Sequence, residues 1–433
     1  MKKNVMSVIV SMFILSLKPD YGLGQDGIMP FPNEPALTLS DCYQLSLKQS
    51  ELIAIDADQI RITEAHFLEA LSEIIPHVSF VSKDFQQSKA QTALSSISGA
   101  QDSKTSERKF NATQTLFNGF KAIAAIKGSG YERHQRTYEK IRAEQLLLVD
   151  VANAFYLLLE ERDDIKVLER TKEALSGRVK ELIDRERLGR SKPSEVVNAK
   201  AQFYSVEASL EAARSREVIV RQLLEFLVGR QVGRIRDTYE FPAKLMTEGH
   251  YVSMSSSRPD VEAARFAWQL SKENIRVVDS DFLPSADVEA NYYAQRTNSS
   301  KGIDWDVLFT VNVPIFEGTE VLGRSKAANL EADQDRLLFH RAKRQAPYDI
   351  KDAYVRLTTA MTVRDALRKA YTTAKLNYYL QKRDYRRSLV NNLDVLASIQ
   401  TLQDAERNYI HALYEAKRQY WQLRVAVGQG LTS

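Results

Sequence analysis

The sequence predicts a mainly helical fold with a small membrane β-barrel part, built from one structural unit that occurs twice. In each copy the predicted order is a helix, two strands, a long helix and a return helix. Landmarks of the two copies lie 199 positions apart, namely Phe117 and Phe316, Ala154 and Ala353, Glu195 and Asp394, and Val228 and Val427. Because this offset is constant, no insertion separates the copies over that length, and the repeat decides the fold prediction.

The composition favours long helices with charged surfaces. Of the 433 residues, 27% are charged, 44% are hydrophobic and only 17 are Gly and 11 Pro. So few helix-breaking residues indicate long uninterrupted elements. The net charge is +4, with acidic and basic residues interleaved along the chain. Since no basic face with a recognition motif stands out, no nucleic-acid partner is expected.

The amino end resembles a secretory signal peptide over residues 1–24. Lys2 and Lys3 precede an apolar stretch from Val5 to Leu17, and the small residues Gly22 and Gly24 suit a cleavage site. A membrane anchor is the alternative, but a spanning helix needs about 20 apolar residues. No later segment is apolar enough to span as a helix. The exported chain is therefore expected in the periplasm or as a β-barrel in an outer membrane.

The first unit is predicted over residues 25–229. Its opening residues contain three prolines and are expected to be extended, and a capping signal at Thr38 starts a helix that Pro76 ends. A polar loop, 88–107, separates the two strands of the unit. The predicted elements are a helix from Thr38 to about Ile75, strands at about 77–87 and 108–117, and a helical hairpin over 120–228.

The second unit is predicted over residues 258–428, after a linker at 230–257 and before a short tail at 429–433. Pro347 lies within the outgoing helix, where a proline removes a backbone hydrogen bond, so a kink is expected there. The predicted elements are an opening helix from Arg258 to about Phe282, strands at about 285–296 and 303–316, and a helical hairpin over 318–427.

One strand shows a strong alternation of apolar and polar residues. This period of two is typical of a strand with one apolar face, and it lasts about ten residues, enough to cross a membrane at a tilt. A half-buried strand of a soluble sandwich is the alternative. The membrane interpretation predicts that five side chains face lipid, namely Trp305, Val307, Phe309, Val311 and Val313.

The duplicated order of elements resembles the TolC family of outer-membrane efflux and secretion channels. The most specific residues are Leu116 to Gly119 and Pro314 to Gly318, which correspond to segments that end a barrel strand and start a long periplasmic helix. The resemblance implies a homotrimer with a twelve-stranded β-barrel in the outer membrane and a long α-helical barrel in the periplasm. It further implies an exit duct for efflux or type I secretion, loaded by a periplasmic adaptor and an inner-membrane transporter.

The resemblance also implies a gate where the two hairpins turn. Glu195 and Asp394 occupy the carboxylate positions, and Tyr385 matches a tyrosine whose hydroxyl helps to hold the closed state. Three-fold symmetry would make each a ring, and carboxylate rings favour cations. The alternative is that Glu195 and Asp394 only stabilise helix starts. Val390 and Ala397 depart from the family pattern, so a gate of the usual composition is not expected.

Both hairpin turns are rich in basic residues. One interpretation is that they dock an adaptor hairpin, and the other is that cations stabilise the carboxyl ends of helices. The docking candidates are Arg187, Gly189, Arg190, Ser191, Arg386, Arg387 and Ser388.

No enzymatic site is predicted. The six histidines are scattered, and no catalytic triad, phosphate loop or nucleotide fingerprint occurs. Cys42 is the only cysteine, which excludes an intrachain disulfide, and it is expected on an apolar helix face. Neither a metal nor a cofactor is expected. The main functional alternative to a duct is a soluble periplasmic coiled-coil adaptor or scaffold.

Overall fold

The computed structural model describes residues 36–86, 104–242, 245–297 and 302–431. The predicted signal peptide, 1–24, and most of the loop 88–107 lie outside these ranges. Within them, no helix is both long and apolar enough to cross a membrane. The elements are α1 (Leu39–Gln49), α2 (Glu51–Ser72), β1 (His77–Gln86), β2 (Lys104–Asn118), α3 (Lys121–Arg187), α4 (Pro193–Val228), α5 (Glu248–Ser253), α6 (Pro259–Asp279), β3 (Ser285–Arg296), β4 (Trp305–Asn312), α7 (Glu320–Arg386) and α8 (Asn392–Ala426).

The opening helix is two helices rather than the single one predicted from Thr38 to Ile75. Thr38 caps α1 through a reciprocal capping box with Asp41, whereas Ser50 has an extended backbone and its hydroxyl caps the start of α2. A serine competes with the helix for backbone hydrogen bonds, which explains the break. Cys42 is fully buried on α1, and burial raises the pKa of its thiol to about 12.

Other boundaries also differ from the predicted ones. The first strand pair is longer, because β2 begins at Lys104. The last strand is shorter, because β4 ends at Asn312 rather than near residue 316, just before Pro314, which cannot donate a ladder hydrogen bond. The predicted linker contains α5, followed by a 3₁₀ turn over Met254–Ser257.

The two long helices, α3 and α7, each contain 67 residues. At about 1.5 Å per residue, each is about 100 Å long. Pro347 lies inside α7, and the helix continues on both sides of it.

The helices form a layer in which α3 is central and α7 lies at one edge. Near the sheet the order across the layer is α2, α3, α6, α7, and toward the turns it becomes α4, α3, α8, α7. The change of neighbours is visible in single contacts. The Cβ position of Gly128 on α3 lies near Leu270 of α6, whereas Asp164, farther along α3, pairs with Arg407 of α8 at 2.6 Å.

The large core side chains belong mainly to α3. Leu148, Phe155 and Tyr156 are fully buried in a cluster that also contains Trp421 of α8 and residues of α1 and α4. The linker crosses this region, because Leu37 forms a parallel bridge with Ile235. This core cluster therefore lies at the waist of the chain, and a second cluster lies along the hairpins toward the turns.

The four strands form one antiparallel sheet in the order β1-β2-β3-β4. Bulges occur in the β2–β3 pairing at Arg108/Lys109 and at Thr115/Phe117. Both edge strands, β1 and β4, have one side without a described partner strand.

Candidate gate, docking tip and lipid-contact face

The first turn, residues 188–192, is a tight helix-to-helix reversal. Gly189 has φ +68°, a backbone conformation that favours glycine, and its N–H donates to Glu186 O at 2.8 Å. Glu195 lies in the first turn of α4, where its carboxylate accepts a hydrogen bond from Ser191 Oγ at 2.6 Å. Within one chain, Glu195 therefore stabilises the start of α4.

The second turn, residues 387–391, has the same plan. Ser388 takes the left-handed conformation with φ +61°. Asn391 and Asp394 form a capping box, in which each side chain accepts from the other residue's N–H at 3.1 Å. Asp394 remains exposed despite this contact. We call the two turns and the adjoining helix ends the tip.

Tyr385 is the buried aromatic residue of the tip. Its ring lies between two guanidinium groups, with Arg178 Cζ at 3.6 Å and Arg185 Cζ at 4.5 Å from the ring centroid. Glu181 pairs with both arginines, at 2.9 and 3.0 Å. The Tyr385 hydroxyl makes no hydrogen bond with any residue that the structure describes, so the ring, rather than the hydroxyl, joins α7 to α3.

Arg178 also connects these contacts to the start of α8, and we call the whole set the joint of the tip. This contact was not predicted from the sequence. Arg178 Nε donates to Asn392 Oδ1 at 2.8 Å, and both residues are more than nine-tenths buried. Arg178 Nη2 and Asn392 Nδ2 have no acceptor among the described residues. Buried donors without acceptors cost free energy. These two donors therefore offset part of the stabilisation that the other contacts of Arg178 and Asn392 provide. In sequence, an arginine amid a charged helix gave no sign of this burial.

The tip surface is strongly cationic. Arg187 pairs with Asp184 at 3.7 Å, whereas Arg190, Arg386 and Arg387 are exposed and make no side-chain ion pair with a described residue. Gly189 and Ser388 form the turns, and Ser191 caps through Glu195. Exposed leucines, also missed from the sequence, accompany these charges: Leu188, Leu389 and Leu393.

The sheet has one apolar and one polar face. Paired residues of antiparallel strands lie on the same face. The pairs on the apolar face are Trp305 with Tyr292, Val307 with Ala290, Phe309 with Val288 and Val311 with Ala286. The pairs on the other face are Asp306 with Asn291, Leu308 with Glu289 and Thr310 with Asp287. Val313 is exposed but lies just beyond the end of β4.

An aromatic row crosses all four strands on the apolar face. Phe80 pairs with Phe110, Phe110 with Tyr292, and Tyr292 with Trp305, and each ring is at least half exposed. Such rows are typical of the membrane–water boundary. The polar face is instead cross-linked by hydrogen bonds, including Asn111 to Glu289 at 2.7 Å and Asn291 to Asp306 at 2.9 Å.

Comparison with known proteins agrees with this architecture. The sequence model of the outer membrane efflux protein family matches residues 251–429. The outer membrane protein TolC of Vibrio cholerae is 23% identical over 301 residues, which are 66% of this chain and 68% of TolC. TolC of Escherichia coli is 21% identical over 387 residues, 83% of this chain and 76% of that protein. The crystal structure of VceC from Vibrio cholerae shares the fold, with TM-score 0.77 and 18% identity, covering 90% of this chain and 96% of VceC.

Over most of its length, the chain is similar to outer-membrane efflux proteins of the TolC family. The predicted fold, a long helical barrel with a β part, is confirmed. The chain is an outer-membrane exit duct of efflux systems, with its helical part in the periplasm, and it is not an enzyme. Channels of this family are trimeric and work with efflux-pump components.

Two residues at the tip, Val390 and Ala397, differ from the pattern expected for the TolC family. Val390 packs partly buried against the apolar cluster of the hairpins, and Ala397 is exposed on α8. The joint between the hairpins in this chain is instead made by Tyr385 with Arg178 and Arg185. Among the described residues, no group of three or more His, Cys, Asp or Glu side chains could hold a metal ion.

Proposed function

We propose that three copies of this chain close into one duct, which passes substrates from a periplasmic adaptor and an inner-membrane transporter to the exterior. The observation that carries this proposal is the position of the unpartnered edges. β1, α2 and α4 form one side of the chain, and β4 and α7 form the other. When the two edges of a chain differ, one edge can contact the other edge of the next copy. Repeating this head-to-tail contact closes a ring of chains if the rotation between neighbours allows it.

The side chains on both edges suit burial in such a contact. Each edge exposes large apolar residues at helical spacing, which is unusual on a surface that faces water over its whole length. Those on α7 are Leu322, Leu330, Leu337, Leu338, Tyr348 and Val355, and those on α2 and α4 are Leu52, Ile55, Ile62, Leu68, Tyr204, Ile219, Leu223 and Phe226.

In this arrangement, the four strands of each chain contribute to a barrel of twelve. Closure satisfies the backbone groups of both edge strands, which lipid could not do. The apolar face, with Trp305, Val307, Phe309 and Val311, then contacts lipid, with Val313 at its lower border, and the polar face lines the lumen.

At the other end, the trimer brings three copies of each tip side chain together. Asp394 is exposed and held by its capping box, so its carboxylates form a ring that attracts cations at the periplasmic entrance. Glu195 lies at the equivalent place of the first hairpin, with its carboxylate hydrogen-bonded to Ser191. Tyr385 holds the hairpins together in the closed tip.

The tip also docks the adaptor. Its exposed Arg190, Arg386 and Arg387 make no ion pair with a described residue, and exposed leucines accompany them. An adaptor hairpin with acidic residues around an apolar centre is complementary to this surface.

The function is tested by the assembly of the full chain in mild detergent. We expect a trimer that needs detergent to remain soluble. Phe309→Arg should disfavour assembly by about 2–4 kcal/mol, because a cation on the lipid face near the midplane is destabilising. Thr310→Arg is the matched control and should assemble nearly as well as the parent, since its side chain faces the lumen. Light scattering and crosslinking measure the trimer fraction.

A stable monomer released without detergent would support the alternative, a soluble adaptor or scaffold. Equal tolerance of arginine at positions 309 and 310 would contradict the assignment of the two sheet faces while leaving the trimer itself intact.

A further inference from the structure

A groove lies where the sheet meets the helices, between the start of α3 and the end of α6. It has a volume of about 350 Å³. Its lining includes Phe120, Ile123 and Lys127 of α3, together with Arg276 and Leu283 from the other side. We call it the junction groove.

The junction groove is apolar at the end nearest the sheet. Phe120, Ile123 and Leu283 are 60%, 50% and 43% exposed, although all three are large apolar residues. Phe120 is also held with φ +66°, a conformation that a side chain other than glycine rarely adopts. A strained backbone that presents a phenyl ring to the surface indicates a function for that ring.

The groove is continuous with the apolar face of the sheet. Phe117 pairs with Ala286, which in turn pairs with Val311 on the apolar face. The Phe120 ring contacts Phe117 edge-on, with centroids 5.1 Å apart. Phe117 is seven residues from the aromatic row, or about 24 Å along the strand. The groove therefore begins at the periplasmic border of the apolar face.

Both acidic residues of the groove lining are already held by partners. Glu273, at the end away from the sheet, accepts from Arg276 Nη1 at 2.7 and 2.9 Å, and Asp279, at the end nearer the sheet, accepts from Ser325 Oγ at 2.7 Å. Lys127 is exposed and makes no ion pair or side-chain hydrogen bond with any residue described by the structure. It lies seven residues after Phe120 on α3, two turns farther from the sheet and on the same helix face.

We propose that the junction groove binds one phospholipid of the periplasmic leaflet, with an acyl chain along Phe120, Ile123 and Leu283 and the phosphate on Lys127. The apolar end adjoins the lipid-facing sheet, and the free ammonium lies about 10 Å deeper in the periplasm, where a headgroup would lie. The proposal rests on the assignment of the apolar sheet face to lipid. The bound lipid fixes the depth of each chain in the membrane at the point where strands become helices.

The test measures lipid binding to the delipidated full-length trimer in mild detergent. Phosphatidylglycerol is added in defined amounts, and native mass spectrometry counts the lipids retained. We expect up to three tightly held lipids per trimer. Lys127→Gln should weaken their binding about fivefold, the effect of one basic residue at an anionic lipid surface. Lys127→Arg should restore it, and Ile123→Ser should weaken it through the acyl chain. Diacylglycerol, which lacks the phosphate, should bind parent and Lys127→Gln alike.

Lys180→Gln is the matched control, because Lys180 is an exposed lysine of the same helix near the tip. Equal phosphatidylglycerol binding by Lys127→Gln, Lys180→Gln and the parent would overturn the groove proposal. If Phe309→Arg still impairs assembly in that case, only the groove proposal fails. If Phe309→Arg assembles like the parent, the sheet-face assignment fails, and the groove proposal fails with it.

Discussion

The helices α3 and α7 have the same length and the same place in their repeats, yet their surfaces differ. α3 buries roughly twice as many residues as α7, among them Leu148, Phe155 and Tyr156. The buried residues of α7 are mostly small, such as Ala328, Ala346 and Ala374. α7 exposes many of its large apolar side chains instead, although Ile350 and Leu357 are fully buried.

Position in the layer explains this difference. α3 has neighbours on both sides over its whole length, whereas α7 has a long helix, first α6 and then α8, on one side only, with the short α5 and its following turn against its middle. A helix packed on both sides inside one chain needs large side chains to fill the space between helices. A helix packed on a single side can expose apolar residues that contact another chain. The core residues of α3 thus mainly stabilise the fold of one chain, whereas the exposed apolar residues of α7 mainly stabilise the assembly of chains.

Substitutions in the core of α3 and on the exposed face of α7 should affect folding and assembly separately, and the core substitution should have the larger effect on stability. Phe155→Ala should lower the free energy of unfolding by about 3–5 kcal/mol, because it leaves a cavity at a fully buried site. Leu337→Asp, on the exposed face of α7, should keep the helicity of the chain but lose the trimer. Thermal unfolding by circular dichroism and light scattering measure the two effects. If Leu337→Asp lowers helicity as much as Phe155→Ala, the assignment of folding to the α3 core and of assembly to the α7 surface is wrong.

Tyr385 is the large side chain of α7 that is buried against α3 at the tip. Tyr385→Ala should open the closed tip and raise conductance in planar bilayers, since cation–π contacts of this kind contribute about 1–2 kcal/mol. Tyr385→Phe keeps the ring and should conduct like the parent. Asp394→Ala should weaken block by multivalent cations without opening the tip. Parent-like behaviour of Tyr385→Ala and Asp394→Ala would place the gate elsewhere and leave Asp394 as a helix-start carboxylate.

The ends of α3 and α7 at the tip are both basic. Measuring adaptor binding tests whether both ends take part in docking. Arg386→Glu with Arg387→Glu should slow association with a periplasmic adaptor, because charges at an interface rim act mainly on the association rate. Arg187→Glu with Arg190→Glu should have a similar effect if both hairpins dock. The control is Arg356→Glu, an exposed charge far from the tip. Surface plasmon resonance at two salt concentrations measures the rates; a control as slow as the tip variants would remove the tip from the docking surface.

Much of this architecture could be predicted from the sequence because its signals are local. Alternation from Trp305 to Val313 marks a strand with two unlike faces, and long stretches without proline or glycine mark the hairpins. The constant offset of 199 residues links the copies. Even the break at Ser50 had a local cause, a serine able to cap a helix, although the continuous apolar spacing concealed it.

The joint at the tip could not be predicted, because its parts are distant in sequence. Arg178 and Asn392 are 214 residues apart, and neither stands out among charged and polar neighbours. Their contact depends on how α3, α7 and α8 pack together. The junction groove is hidden for the same reason, since Phe120 and Leu283 meet only after β2 and β3 have paired.

The equal lengths of α3 and α7 restrict how this chain can change over evolutionary time. A single inserted residue would turn the rest of its helix by about 100° and lengthen it by about 1.5 Å. Its apolar stripe would then leave its neighbours, and one turn would extend beyond the other. Length can therefore change only in whole helical repeats and in all four hairpin helices together, so that a longer or shorter duct requires coordinated insertions or deletions in both copies of the duplicated unit.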